Sequence, residues 1–286
     1  MATASNSRIA APQWVNSIYA QFPLVTLEQE DVLDWRQDAA RSASNAVYSL
    51  WISAPIAEDH PHQRPWASGC PVALRVQLLF LLRGVNVDSR VWANVAAAPS
   101  GKLPALHLLR ENRLVAADDI RSWLDAQHPL KGPTASLHGM PTQAAYDNAL
   151  ATAQLVLVRL WPAYIVSMSG DSREIALMIP GPPPLSAGLT TPLPASFTGD
   201  ERFIDEDELV EAGIEALEAL RIKLGGRTGS PWAHGASSPT PLDALLASHL
   251  YCIYGLPASS ALRVKLEQCS ELGDYVDSVL DFADKR

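Results

Sequence analysis

The 286-residue chain contains only three cysteines, Cys70, Cys252 and Cys269. They are too few and too widely spaced to form a disulfide framework, so the composition points to a reducing compartment. No block of Lys or Arg occurs either: 22 basic residues are scattered among 31 acidic ones, for a formal net charge of −9. Nucleic acid and anionic lipid headgroups both want clustered positive charge, which argues against either as the main partner. A long apolar run is missing as well. The most apolar stretch, Leu155 to Met168, is interrupted by Arg159 and Pro162 and falls short of the roughly 18–20 residues a spanning helix needs. The N-terminus carries one arginine, Arg8, and no apolar segment, so it reads as neither a secretory signal nor a transit peptide. The expectation is a protein with no transmembrane segment of its own.

Apolar residues make up 48% of the chain, which suits one large globular domain or two small ones. Residues 1–44 read as an arm. Within it Trp14, Ile18 and Phe22 recur at intervals of four on one face of a short helix, Pro23 ends that helix, and Leu24 opens an extended stretch. From Asn45 to residue 130 the pattern is α/β. A strand over Val47–Ile52 leads into a Pro/His-rich loop, Ala54 to Gly69, and then a helix from Pro71 to Arg83. That helix has proline at its first position and Gly84 just past its end. Val85–Val87 reads as a short strand. The Leu103–Pro104 bond, of the one type for which cis is cheap, precedes a strand over Ala105–Leu109. A turn at Asn112-Arg113, a strand at Leu114-Val115 and a helix from Asp118 to His128 complete this region. Residues 135–286 read as helical: a long helix from Thr142 to Met168 that Pro162 can kink, a Pro/Gly-rich exposed loop over 179–197, and an acidic helix from Asp205 to Leu224. Thr240, Pro241 and Asp243 then supply the N-cap, N1 and N3 residues of a capping box, and one or two helices follow between Ser259 and Phe282.

Four segments of the first half resemble the glutathione transferases: Tyr48–Ile52, Cys70-Pro71-Val-Ala-Leu-Arg75-Val76, Gly101-Lys-Leu-Pro104-Ala-Leu106, and Leu114-Val-Ala116-Ala117-Asp118-Asp119-Ile120. The resemblance implies an α/β plus all-α fold, glutathione-transferase-like, with a thioredoxin-like N-terminal domain and a helical C-terminal one. In the transferases the last segment carries an acidic residue and a serine that hold the γ-glutamyl end of the tripeptide. The matching positions here are Ala116 and Ala117, and a methyl group neither donates nor accepts a hydrogen bond. Phe22-Pro-Leu-Val-Thr26, the Trp51–Gly84 unit, Pro99-Ser-Gly-Lys-Leu-Pro-Ala-Leu106 and Pro239-Thr-Pro-Leu-Asp-Ala-Leu-Leu-Ala247 are similar, more narrowly, to the metaxin family. Among metaxins the chain is most similar to the fungal peripheral subunits of the mitochondrial sorting and assembly machinery. That resemblance implies a non-enzymatic receptor or adaptor on the cytosolic face of the mitochondrial outer membrane. Its partners would be the barrel-forming core subunit, a second metaxin-like subunit and β-barrel precursor proteins.

No catalytic, cofactor-binding or metal-binding residue is expected on this reading. Trp14, Phe22, Leu24 and Trp66 are the candidate partner-binding residues, since aromatic side chains in loop-rich segments are enriched at interfaces. Cys70 supports the alternative, a divergent glutathione transferase or thiol-redox enzyme. A thiol at a helix N-terminus gains acidity from unpaired N–H groups, and Cys-Pro-x-x-x-Arg resembles the omega-class transferases and glutaredoxins. A soluble scaffold in a cytosolic complex is a third possibility. His60 and His62 with Cys70 fall short of a structural zinc site, which wants four ordered ligands: flexible prolines surround the pair and no fourth ligand lies at a regular spacing. Asp118 and Asp119 sit in a first helical turn, where aspartate is favourable for electrostatic reasons alone.

Overall fold

The computed structural model describes residues 47–57, 60–130, 134–168, 205–225 and 230–286. The chain divides into two compact units, residues 1–45 and 46–286. The first unit lies outside the described residues, and so do Trp14, Phe22 and Leu24 and the Pro/Gly-rich segment 179–197.

The second unit begins with β1 (Tyr48–Ile52), whose last four residues are buried. After the loop comes α1 (Pro71–Leu82), apolar except for Arg75 and Gln77 and mostly buried. Its end explains where the next strand starts. Gly84, at φ +68°, donates to Leu81 O, and Val85 donates to Phe80 O, the bond pair of a Schellman stop. Val85 is thus consumed by the helix cap, and the strand expected over Val85–Val87 forms later, as β2 (Asp88–Val91). Two single turns of 3-10 helix, Val95–Ala97 and Pro99–Gly101, lead to β3 (Ala105–Leu108), β4 (Arg113–Val115) and α2 (Ala117–Gln127). The sheet order is β2-β1-β3-β4, with β1 and β2 parallel and the other pairs antiparallel.

The helical part comprises α3 (Gln143–Leu155), a π-helical turn (Val156–Leu160), α4 (Trp161–Met168), α5 (Glu206–Gly225), α6 (Pro241–Ile253), α7 (Ala261–Glu267) and α8 (Ser270–Asp284). Pro162 has no N–H to offer Val158. The ladder adjusts one turn earlier than the proline: Trp161 N bonds Val156 O, five residues back. Because the turn is continuous, α3 and α4 form one 26-residue rod, Gln143–Met168, long and apolar enough by length and composition to cross a membrane. The sequence stretch Leu155 to Met168 alone is too short for this; the continuous helix supplies the added length. Half of the rod's most apolar window is buried within the fold, where it packs on α5. Contact there is close: a Cβ built on Gly213 of α5 would lie 2.3 Å from Ala163 Cβ.

One core joins the α/β and helical parts. Leu50, Ile52, Leu106 and Leu108 on one face of the sheet meet α1, and α1 meets α6, whose residues from Leu242 to Ile253 are all buried. Alternation along the strands sends Trp51 and Ala105 to the other face. There they are covered by Trp92, Ala98 and Leu103, and Trp92 stacks on Trp51 with ring centroids 4.1 Å apart.

Candidate functional site

The register of the sheet brings three sequence motifs to one of its ends. Trp51 pairs with Ala105 and Leu106 with Val115, so the end of β1, the start of β3 and the end of β4 lie side by side. Leu103–Pro104, a cis peptide bond, enters β3 at this end. Ala116 and Ala117 leave β4 here as the N-cap and first residue of α2. Cys70 arrives through Ser68, whose Oγ donates to Ser53 O just beyond β1 and accepts from Cys70 N.

At this corner the N-terminus of α2 carries no polar side chain from its cap. Ala116 makes no capping bond, and Asp118 and Asp119, in the first turn, are exposed. The four leading N–H groups of a helix want acceptors, and here the two residues nearest the sheet offer methyl groups. Cys70 is the N-cap of α1, half-buried, with no side-chain capping bond. Behind it Cys252 and Tyr164 are buried. Desolvation pushes both the Cys252 thiol and the Tyr164 hydroxyl well above their ordinary ranges, which leaves Cys70 as the thiol open to chemistry in this neighbourhood.

The Pro/His-rich loop between β1 and α1 is a closed strap. Its ends are tied by Gly69 N to Ala54 O and by a bridge between Pro55 and Ser68. Gln77 of α1 holds it from below, its Nε2 donating to Trp66 O and Ser89 Oγ and its Oε1 accepting from Ser68 N. Gln77 is the one polar residue in the run Val76–Leu82, a signal the sequence carried and the sequence reading passed over. Above, Arg64 Nη2 bonds Asp277 and Asp281 of α8 at 3.2 and 2.6 Å, and His62 Nδ1 lies 2.8 Å from Asp277 Oδ2. His60 stacks on Tyr254 and meets Tyr251 edge-on. Both ring nitrogens of His60 are buried without partners among the described residues. Desolvation, reinforced by the nearby His62, lowers its pKa to about 4. His60 and His62 therefore face the aromatic rings and carboxylates of α6 and α8, and no cluster with metal-ligand geometry occurs among the described residues. Trp66, the one candidate partner residue within the described part, is half-buried and packs against the main core.

Comparison with known proteins follows the same lines. The family model for the glutathione S-transferase C-terminal domain matches residues 213–279. No curated protein sequence matches the chain. Among solved structures it is similar to a maleylacetoacetate isomerase from Anaeromyxobacter dehalogenans with GSH bound in the active site, at 18% identity over 82% of this chain and 89% of that one, TM-score 0.43. A glutathione transferase Omega 3C from Trametes versicolor aligns at 11% identity over 84% and 93%, TM-score 0.44. A glutathione S-transferase from Methylobacterium radiotolerans, in complex with glutathione sulfonate, aligns at 16% identity over 83% and 93%, TM-score 0.49. These matches correct the expectation of a non-enzymatic protein. The structures the chain resembles are enzymes, several holding glutathione or a derivative, so the fold supplies no ground for excluding catalysis. What sheet order, cis proline, helical half and family match establish together is the architecture: the chain has a glutathione-transferase-like fold, a small mixed sheet followed by a helical C-terminal domain.

Proposed function

We propose that this glutathione-transferase-like chain serves as a docking subunit of the mitochondrial outer-membrane sorting and assembly machinery, peripheral to the membrane on its cytosolic side. Its partners would be the barrel-forming core subunit, a second metaxin-like subunit and β-barrel precursors. The observation that carries this reading is the bare N-terminus of α2. Ala116 and Ala117 stand where the resembling transferases hold the tripeptide, and neither side chain makes a bond. Two further features favour it. The metaxin-like motifs span both halves of the fold. Both sheet edges, β2 and β4, lack a further strand among the described residues, and an open edge can receive an extended segment through its backbone.

The test is fractionation and crosslinking. The protein should sediment with mitochondria, be released by alkaline carbonate, and crosslink to the barrel-forming subunit. Its membrane association should fall when that subunit is depleted. Failure to fractionate with mitochondria, or retention on the membrane without the partner, would overturn the proposal.

A second reading is favoured by Cys70, a half-exposed thiol at a helix N-terminus on the same sheet end as the cis proline. It assigns the chain a thiol-dependent transferase or reductase activity. Retention on glutathione resin, together with loss of the retained activity in Cys70→Ser, would support it. Serine caps a helix as well as cysteine does, so that substitution separates chemistry from folding.

A further inference from the structure

A cavity lies away from the sheet end. It is a cleft of about 150 Å³ between α1, α2, α3 and α6, walled by Met140, Ala149, Leu150, Leu157, Leu242 and Leu245. None of Cys70, Pro104, Ala116 and Ala117 lines it. At one side stand two arginines, Arg75 of α1 and Arg121 of α2. Arg75 is half-buried and makes no ion pair or hydrogen bond among the described residues. Desolvation, and secondarily the like charge of Arg121, lowers its pKa from the ordinary arginine range. Arg121 has a carboxylate in reach, shared with a third arginine, whereas Arg75 has none among the described residues. Asp125 is engaged at 2.5 Å by Arg83 and reaches Arg121 only at 3.8 Å.

A half-buried guanidinium without a counter-charge is costly unless something supplies one. Arginine's planar fork matches a carboxylate in bidentate fashion. Apart from His138 and Tyr146 the rest of the lining is apolar, and two of its residues, Leu150 and Leu157, are 49% and 44% exposed, more than the interior of a finished core would leave open. Leu157 belongs to the π-helical turn, a distortion that recurs at functional sites. An apolar cavity of ~150 Å³ accommodates a benzene ring.

We infer that this cleft binds a small organic acid, its apolar body against Leu150, Leu157 and Leu242 and its carboxylate on Arg75, with Arg121 as the second cation. The site is separate from the sheet-end corner, and its occupancy does not depend on the docking role or on Cys70.

Phenylacetate tests the inference by calorimetry on the full chain, with phenylethanol as the uncharged control and inorganic phosphate as the anion without a body. Phenylacetate should bind at submillimolar concentration, and phenylethanol and phosphate about tenfold or more weakly, because each lacks half of the recognition. Arg75→Gln should weaken phenylacetate by a similar factor, whereas Arg75→Lys should retain part of the affinity. Leu150→Trp, at an exposed position of the lining, should block the cleft with both arginines still present, which guards against misreading a folding defect in Arg75→Gln. Cys70→Ser should leave binding unchanged. Equal binding of phenylethanol, equal affinity in Arg75→Gln, loss of binding in Cys70→Ser, or no heat with phenylacetate at millimolar concentration would each overturn the assignment.

Discussion

Tyr275 donates its hydroxyl hydrogen bond to Asp243 Oδ1 at 2.7 Å, which ties the last helix to the N-terminus of α6. Ala233 N reaches the same oxygen at 2.9 Å, and Oδ2 accepts from Thr240 N and Thr240 Oγ, both at 2.7 Å. Asp243 is fully buried, so four donors from three segments replace the water that carboxylate has lost. Asp243→Ala should strand those donors and destabilise the protein by about 3–5 kcal/mol. Tyr275→Phe leaves Oδ1 its bond from Ala233, and about 1 kcal/mol is expected. Urea midpoints decide between them; equal losses in the two variants would show that the carboxylate is not the hub.

Acid should weaken the fold through two buried histidines. His249, 4% exposed, contacts Trp161 edge-on, and its Nδ1 lies 2.8 Å from Leu245 O. Desolvation lowers its pKa to about 4, as it does for His60. An unfolded histidine takes up its proton near pH 6.5, while the folded ones wait until about pH 4. Between those values unfolding binds protons, so stability falls as pH falls through that window and is level on either side of it. For His249 the loss amounts to about 3 kcal/mol. Denaturation midpoints measured across the window should slope accordingly, and His249→Gln should flatten the slope; an unchanged slope in both His249→Gln and His60→Gln would assign it elsewhere.

Gly213 lets α5 lie against α4. The added methyl of Gly213→Ala would meet Ala163 Cβ at 2.3 Å, and the helices must separate, at about 1–3 kcal/mol. Ala163→Gly in the same chain should recover most of that loss. If Gly213→Ala alone melts at the wild-type temperature, the helix contact is looser than the structure has it.

Glutathione affinity should be limited by the two methyls at the start of α2. Ala116→Asp with Ala117→Ser would restore an acid and a hydroxyl there, and each recovered bond contributes about 0.5–1.5 kcal/mol. Aspartate at a helix N-cap should also raise stability by about 1 kcal/mol, an independent sign that the substitution is correctly seated. A stabilised double variant that binds glutathione no better than the parent would mean that other parts of the corner exclude the ligand.

Much of the fold was legible in the sequence because local rules sufficed. Proline at N1 and Gly84 past the end bounded α1; Thr240, Pro241 and Asp243 marked the start of α6; the cis-prone Leu103–Pro104 bond located β3. The start of β2 was misplaced because Val85 closes a Schellman stop, a bond between residues five apart that apolar periodicity does not register. The adjustment ahead of Pro162 was equally hidden, since the proline is visible but the register shift it induces is shared with the preceding turn.

The candidate site divides in the same way. The absence of polar side chains at Ala116 and Ala117 and the place of Cys70 before a helix were properties of the sequence, because a residue's chemistry and its position in a capping pattern are local. Tertiary structure alone decided what the His60–Trp66 loop does. Its clasp depends on Asp277 and Asp281, more than 200 residues further along, and on Gln77 reaching back from α1. Tertiary structure likewise decided that Arg75, in sequence only the last residue of a cysteine motif, stands beside Arg121 in a cleft that no carboxylate lines among the described residues. Charge pairing is a matter of which surfaces meet, and nothing local to Arg75 specifies that.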